Sequence, residues 1–561
     1  MPEYLTPGVY YELADAGPPP VRGVRTDIAG FVGIAPRGPL HTPTHIDSWR
    51  QYQAVFGSFV SYGFLAYAVK GFFENGGKVC YIVRVAGFDA APASLMLRDS
   101  SGNDLVRIRA KNEGSWGNGV KLALVTVNPT SGTFSLAVTG PDGDRESFSN
   151  LTLGEHDARS CKFILDHGDD RTRPSRWISA DDAVATGVPN AAQSGLTDFS
   201  AYLAGGKDGL ASLTRADFLG TLDDPELGKR GLGSLERVAE VAIVAIPDMH
   251  IIPTVVPKPN LPPPPPVDPC LCVPPPLPPA PVPDDTPDEI PPRFSETDIQ
   301  TMQQALIEHC ESRRDRVAIL DAPVHTFGSP YMLPEIQDWR SRFDSQRGFA
   351  ALYYPWVKVL DPLHLGGSPV RAVPPSGHIA GIYAAVDADP GVHRAPANWE
   401  VQWAEDVTVV IDDSTQAVLN PDGTDCLRAF PGRGILVYGG RTISSDSDWR
   451  YINVRRLLLM IEKAVDISTQ WSVFEPHNTE LRQKLVQSIS SFLESIWQRG
   501  MLAGATREEA FFVKCDGTNN PPASVDAGRI ITDIGVAPAI PAEFVIFRVG
   551  RTVEELEIVE R

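Results

Sequence analysis

The sequence predicts a multidomain chain of α/β and α+β type, and three observations predict it. Short apolar runs edged by glycine alternate with stretches of helical period across residues 21–90 and 201–445, the pattern of parallel βαβ units in a doubly wound sheet. Residues 91–200 carry short alternating runs separated by Gly, Asn, Pro and Asp, which reads as a β-rich insertion domain. Residues 446–550 carry two helical stripes followed by strand-like runs. At 561 residues the chain is too long for one hydrophobic core.

In chain order, residues 1–20 are rich in proline and read as an extended arm, with Val9, Tyr10, Tyr11, Glu12 and Leu13 as a short strand. Ile28 to Ile34 reads as a buried strand, Phe64 to Phe73 as a helix closed by Asn75-Gly76-Gly77, and Val79 to Val85 as a second strand. Within the insertion domain, Leu105 to Ala110, Val120 to Val127 and Thr133 to Thr139 are the strand candidates. Val238 to Ile246 is an apolar run ended by Pro247. Ser295 with Asp298 three residues on marks a helix start, and Ile299, Met302, Leu306 and Cys310 share one face of the helix that follows. Val317 to Leu320 reads as a strand, Glu335 to Phe343 as a helix, and Phe349 to Val359 as another apolar run. Val407 to Ile411 and Ile435 to Tyr438 are expected to extend the sheet. Val454, Leu458, Ile461 and Val465 form one helical stripe. Leu481, Leu485, Ile489, Phe492 and Ile496 form a second, after Asn478. Ala510 to Lys514, Arg529 to Asp533 and Phe544 to Val549 (Phe544, Val545, Ile546 and Phe547 at its start) read as strands before a charged arm at 551–561.

Between Pro253 and Pro292 fall nineteen of the 51 prolines and no glycine. Without amide donors such a segment joins neither sheet nor helix. Residues 252–293 therefore read as a disordered surface insertion within the α/β domain.

Charge and cysteine content exclude several functions. Fifty basic against seventy acidic residues give a net charge of −20, which argues against nucleic-acid binding as the main business. No run reaches the ~20 apolar residues that cross a bilayer. Met1-Pro2-Glu3-Tyr4 lacks a secretory n-region, so a protein made in a cytoplasm, outside the secretory route and with no direct membrane insertion, is expected. Seven scattered cysteines read as reduced thiols, including Cys270 and Cys272 in the proline segment, whose spacing misses the zinc pattern. There is no P-loop: Gly71 to Gly77 before Lys78 has the wrong spacing, and Val79 stands where the hydroxyl residue belongs. Neither a G-x-S-x-G elbow nor an H-E-x-x-H helix occurs. Ser376-Gly377-His378 opens a small-residue helix, but a triad needs a serine at an oxyanion hole and a carboxylate on the imidazole. The expectation is no enzyme and no cofactor or metal, with an α/β hydrolase using His378 as the alternative. Arg455, Arg456, Lys463, Arg482, Lys484 and Arg499 read as a solvated face or as contacts to an acidic partner.

Several ordered motifs resemble one family, the contractile tail sheath proteins. They are Leu5-Thr6-Pro7-Gly8-Val9-Tyr10-Tyr11-Glu12, Phe73-Glu74-Asn75-Gly76-Gly77, Asn112-Glu113-Gly114-Ser115-Trp116-Gly117-Asn118, Leu203 to Gly209, Pro374 to Gly381, Leu419-Asn420-Pro421 to Ile435, and Trp449 to Arg456. The proline segment is a departure from the family pattern. The resemblance implies a subtilisin-like α/β domain without catalysis, and a subunit polymerising as stacked hexameric rings around an inner tube. It implies extended arms that pair with neighbouring subunits, partners in the tube, baseplate and cap proteins, and residence in a phage tail or extracellular injection particle. The residues at 9–13 and 544–547 become intersubunit arm candidates, and the six basic residues above become inner-tube contact candidates. Another tail or baseplate component is the further alternative.

Overall fold

The computed structural model describes residues 19–154, 157–190, 201–220, 229–252, 289–325, 328–363 and 369–543. Its centre is a nine-stranded sheet. In spatial order the strands are Trp399–Glu400, Gly434–Val437, Thr424–Phe430, Ala350–Tyr354, Val317–Asp321, Ile243–Ala245, Ala29–Gly33, Cys80–Arg84 and Thr44–Ile46. The six from Thr424–Phe430 to Cys80–Arg84 are mutually parallel, and the outer pairings are antiparallel. The central strands are buried along their whole length, as strands covered on both faces must be.

Local chemistry explains the helices that flank it. Ser295 caps the Glu296–Arg313 helix, and Asp298 returns a bond to the cap, completing a capping box. The Ser376–Ala388 helix crosses the Leu65–Glu74 helix at close range. A Cβ on Gly377 would strike the backbone of Ala68, and one on Gly381 the carbonyl of Phe72. Only glycine, four residues apart on one helical face, permits that approach. The sequence places Val407 to Ile411 in the main sheet; instead Asp406–Val407 joins a separate three-stranded sheet with Val357–Leu360 and Val370–Val373. The apolar run from Phe349 is split at Pro355, which has no amide to give the ladder, so its second half turns away and takes Asp406–Val407 with it.

The insertion domain has its own core, from Ala93 to Leu203. It holds a four-stranded sheet (Ala201–Tyr202, Lys121–Asn128, Thr133–Thr139, Arg145–Leu151) and a three-stranded one (Ser94–Arg98, Asp104–Ala110, Ile178–Ala180). Two motifs distant in sequence close its base. Asp208 accepts from the amide and hydroxyl of Ser115 at 2.8 and 2.6 Å, and Asn118 exchanges two hydrogen bonds with Gly206.

The C-terminal domain packs Ile452–Thr469 against Thr479–Gln498, the latter capped by Asn478. The Leu481 to Ile496 stripe is buried as the period requires. The strand expected at Arg529 to Asp533 lies further on, at Asp533–Val536, paired with Phe511–Lys514. Val21 packs into this helical cluster and not into the α/β core that its sequence position suggested. Among the described residues no helix is long and apolar enough to cross a membrane. Replacing Gly377 with Ala should destabilise the subunit by about 1–3 kcal/mol through forced helix separation, read as a lower urea midpoint. An unchanged midpoint would mean the crossing is looser than described.

Candidate functional site

Parallel strands place their C-terminal ends along one edge, where α/β proteins usually bind ligands, at the point where strand order reverses. Here the reversal lies between Ala29–Gly33 and Ile243–Ala245. That crevice is filled. Asp248, fully buried, accepts from the amide of Ile34 at 2.6 Å and from that of Phe64. Burial raises it to about 6 despite those bonds. His250 is buried with its ring edge-on to Trp356, and burial lowers it to about 3.

The Ser376 to His378 motif lies at the same edge. Asp321 accepts from the Ser376 amide at 2.8 Å, so the carboxylate caps the helix and is raised to about 7 by burial. His378 is 0% exposed. Its ring stacks on Trp403 at 5.7 Å and 13°, and burial lowers it to about 4. Among the described residues no hydrogen bond joins His378 to a serine or a carboxylate, and no group of acidic, His and Cys side chains could hold a metal. A neutral imidazole sealed against an indole is packing chemistry.

The opposite edge, at the N-terminal ends of the strands, is where the C-terminal domain attaches. Arg456 donates to the carbonyl of Thr26 at 3.1 Å, just before the first core strand, and pairs with buried Asp387. Its guanidinium lies 4.4 Å over the Tyr383 ring, and Tyr383 hydrogen-bonds Tyr353 at 2.9 Å. Arg455 sits 4.7 Å from both the Phe349 and Trp449 rings and pairs with Glu462 at 3.0 Å. Lys463 donates to the carbonyl of Ala239. The solvated or partner-facing role expected for Arg455 and Arg456 is therefore corrected: both are 2% exposed, engaged inside the subunit. The signal was in the sequence, since both arginines sit within the run Ile452 to Met460. Lys463 and Arg482 are half-buried, Lys484 pairs with Glu480, and Arg499 is exposed.

The first described residues are rooted on the same domain. Ser488 donates to the carbonyl of Pro19 at 2.6 Å, and Arg22 N–H to Ser468 at 3.1 Å. Among the described residues, Phe511–Lys514 and Asp533–Val536 form a two-stranded sheet, with Phe512 57% exposed. The arm candidates Val9, Tyr10, Tyr11, Glu12, Leu13, Phe544, Val545, Ile546 and Phe547 lie outside the described residues, as does most of the proline segment. Sequence reasoning missed Asp248, Asp387 and Glu543, because a lone acidic residue carries no mark of its distant partner.

Known proteins then locate the chain. Residues 293–443 match the phage tail sheath protein central domain, and residues 444–552 the phage tail sheath C-terminal domain. The tail sheath protein of Vibrio phage KVP40 is 27% identical over 194 residues, 34% of this chain and 28% of the relative. That of Burkholderia phage BcepMu is 26% identical over 249 residues, 43% and 50% of the two chains. The chain thus spans half or less of the length of these two relatives. In fold it is similar to the sheath complex of an extracellular contractile injection system (PVC) in the contracted state, with a TM-score of 0.53, 20% identity and 99% of each chain covered. It is also similar to the contracted helical sheath of the anti-feeding prophage (TM-score 0.53, 22% identity, 99% and 100% covered) and to a sheath tail protein from Listeria innocua (TM-score 0.56, 12% identity, 93% and 96% covered). Such similarities define a mixed α/β multidomain protein with the architecture of sheath subunits. Through these two matched domains the chain resembles the contractile tail sheath family.

Asp321 binds its proton more tightly when folded, since burial raises it from 3.8 to about 7. Its contribution to stability is full below the unfolded value and is lost as pH rises through the folded one. Asp321→Asn keeps an acceptor for the Ser376 amide and removes that loss. The gap between variant and wild-type urea midpoints should move in the variant's favour from about pH 5 to about pH 8. A gap that does not move would show that Asp321 is ionised throughout.

Proposed function

We propose that this chain is the structural subunit of a contractile sheath, polymerising as stacked hexameric rings around an inner tube and shortening to drive that tube through a target envelope. The observation that carries the reading is the ordered match of residues 293–552 to the central and C-terminal tail sheath domains. On this reading the nine-stranded core is a doubly wound, subtilisin-like domain that has no chemistry to perform. The work comes from differences in subunit packing. The partners are other copies of the chain, the tube, the baseplate and the cap; nucleic acid and membrane are not among them. The particle is assembled in a bacterial cytoplasm and acts as a phage tail or an injection particle. The hydrolase reading is disfavoured by the buried, stacked His378.

The polarity of the subunit supports this arrangement. The described ends of the chain, Pro19 and Glu543, attach to or beside the C-terminal domain, which covers the N-terminal ends of the strands. The insertion domain leaves after Cys80–Arg84, and the proline segment after Ile243–Ala245, both at the C-terminal edge. A tube-facing pole holding the helices, with Lys463, Arg482, Lys484 and Arg499 as its remaining inner-tube contact candidates, puts both insertions outside. Among the described residues the two-stranded sheet is short of partners, and its edges suit extended strands from neighbouring copies, residues 9–13 and 544–547, by backbone pairing.

Electron microscopy of the purified chain should show striated tubes or ring stacks; discrete globular particles alone would overturn the sheath reading. Removing residues 1–14 should leave a folded subunit that no longer polymerises, with normal tubes from that variant refuting the arm assignment. The proline segment should be dispensable. Glu289 accepts from the amide of Leu210 at 2.7 Å, so the excision is drawn at 255–287 with a short Gly/Ser join. Tubes should still form and contract. Failure to assemble by a folded variant would place the segment at an internal contact.

A further inference from the structure

Residues 537–543 form a strap that leaves the C-terminal domain and ends on the α/β core. Ala537 accepts from the amide of Ala503 at 2.8 Å and donates to Ala510 at 2.9 Å. Asn453 reaches the carbonyl of Ala539 at 3.3 Å. At the far end Glu543 meets Arg441, which follows the strand Gly434–Val437. Nε donates to Oε1 at 2.8 Å and Nη2 to Oε2. This is the bidentate geometry that makes an Arg–carboxylate pair strong and directional.

Every other donor arm of Arg441 is fixed by the core. Nη1 donates to the carbonyl of Asn420 at 3.0 Å, and the backbone N–H to Asp425 at 2.9 Å. A Cβ on Gly439 would meet Asp425 at 2.5 Å, so the chain can bring Arg441 to this position only through glycine. The Arg441 and Glu543 side chains are 9% and 17% exposed. Beside them opens a polar hollow of ≈ 220 Å³, lined among others by Arg340, Asp422, Asp446 and Arg450. A pair at the lip of a polar, open hollow is held by geometry and can be replaced by water when the strap is pulled, unlike Arg456–Asp387 in the interior.

We propose that the Arg441–Glu543 pair is a latch that seats the root of the C-terminal arm on the α/β core, so that a second copy of this chain bound to the arm is positioned by the core sheet and not by the C-terminal helices alone. This rests on the reading of residues 544–547 as an intersubunit strand. Arg441 is a positioning residue: it fixes where the arm begins, and load on the arm passes through it to Asp425 and the strand Thr424–Phe430.

The test uses the full chain carrying Glu543→Ala, with Glu543→Gln as the milder variant should the first fail to fold. Hydrogen exchange is measured on the soluble subunit, and tubes are imaged by electron microscopy. Exchange at residues 537–543 should quicken by about tenfold or more, with the Ile452–Thr469 helix unchanged, as expected for local release. Tubes should be lost or irregular. Unchanged exchange at the strap would overturn the latch, and fast exchange with normal tubes would overturn its positioning role. If the wild-type chain forms no tubes, the sheath reading fails on its own, while the exchange comparison still decides whether the latch exists.

Discussion

Six neighbouring strands run parallel, and that constraint divides the molecule into two poles. Parallel pairing needs a crossover after every strand, so all N-terminal ends share one edge and all C-terminal ends the other. The last domain of the chain must dock somewhere. It docks across the starts of the strands, touching Thr26, Ala239 and Phe349, each of which lies shortly before a strand. The two large excursions leave from the other edge, where crossover loops accept inserted chain at little cost. A different strand direction anywhere in the six would mix the poles.

The docking seam carries buried charge where apolar packing alone would hold. Arg456 and Asp387 are both nearly inaccessible. Burial pushes Asp387 up, with Arg456 opposing. A hydrophobic replacement of such a pair is often neutral or stabilising, whereas removing one partner typically costs about 3–5 kcal/mol. What the pair supplies is register. A planar guanidinium that must meet Asp387, the Thr26 carbonyl and the Tyr383 face at once allows one seating of the Ile452–Thr469 helix on the sheet. An oily seam would allow the helix to slide. If the chain polymerises as proposed, its contacts repeat along the assembly, and a fixed seating keeps small errors from accumulating.

Much of the fold was legible because its determinants are local. The Ser295–Asp298 box and the Asn478 cap start helices where the sequence says they start. The stripe from Leu481 to Ile496 is buried because its period is helical. The misses share one physical cause. Whether Val407 to Ile411 joins the main sheet depends on Val357–Leu360 having already turned away after Pro355, a long-range event. The burial of Arg455 and Arg456 depends on Phe349, Tyr383 and Trp449 arriving from elsewhere in the chain. Of the candidate site, the small-residue helix at Ser376 was readable as structural. Its glycines show why: the space a substrate would need at that helix start is taken by the backbone of Ala68.

The two ends of the described chain, at Pro19 and Glu543, are held by different means, and the difference follows from what each meets. Near the N-terminus, Val21 is buried among the helices and the backbone is bonded by Ser468 and Ser488, so this root is part of a hydrophobic core and opens only with it. The C-terminal root is a strap with exposed Ile540, tied by a few backbone bonds and one ion pair. Few buried apolar contacts mean a low opening free energy. If both arms join neighbouring copies, the N-terminal connection therefore moves rigidly with the helical domain, while the C-terminal connection is the compliant one, able to give first when subunits repack.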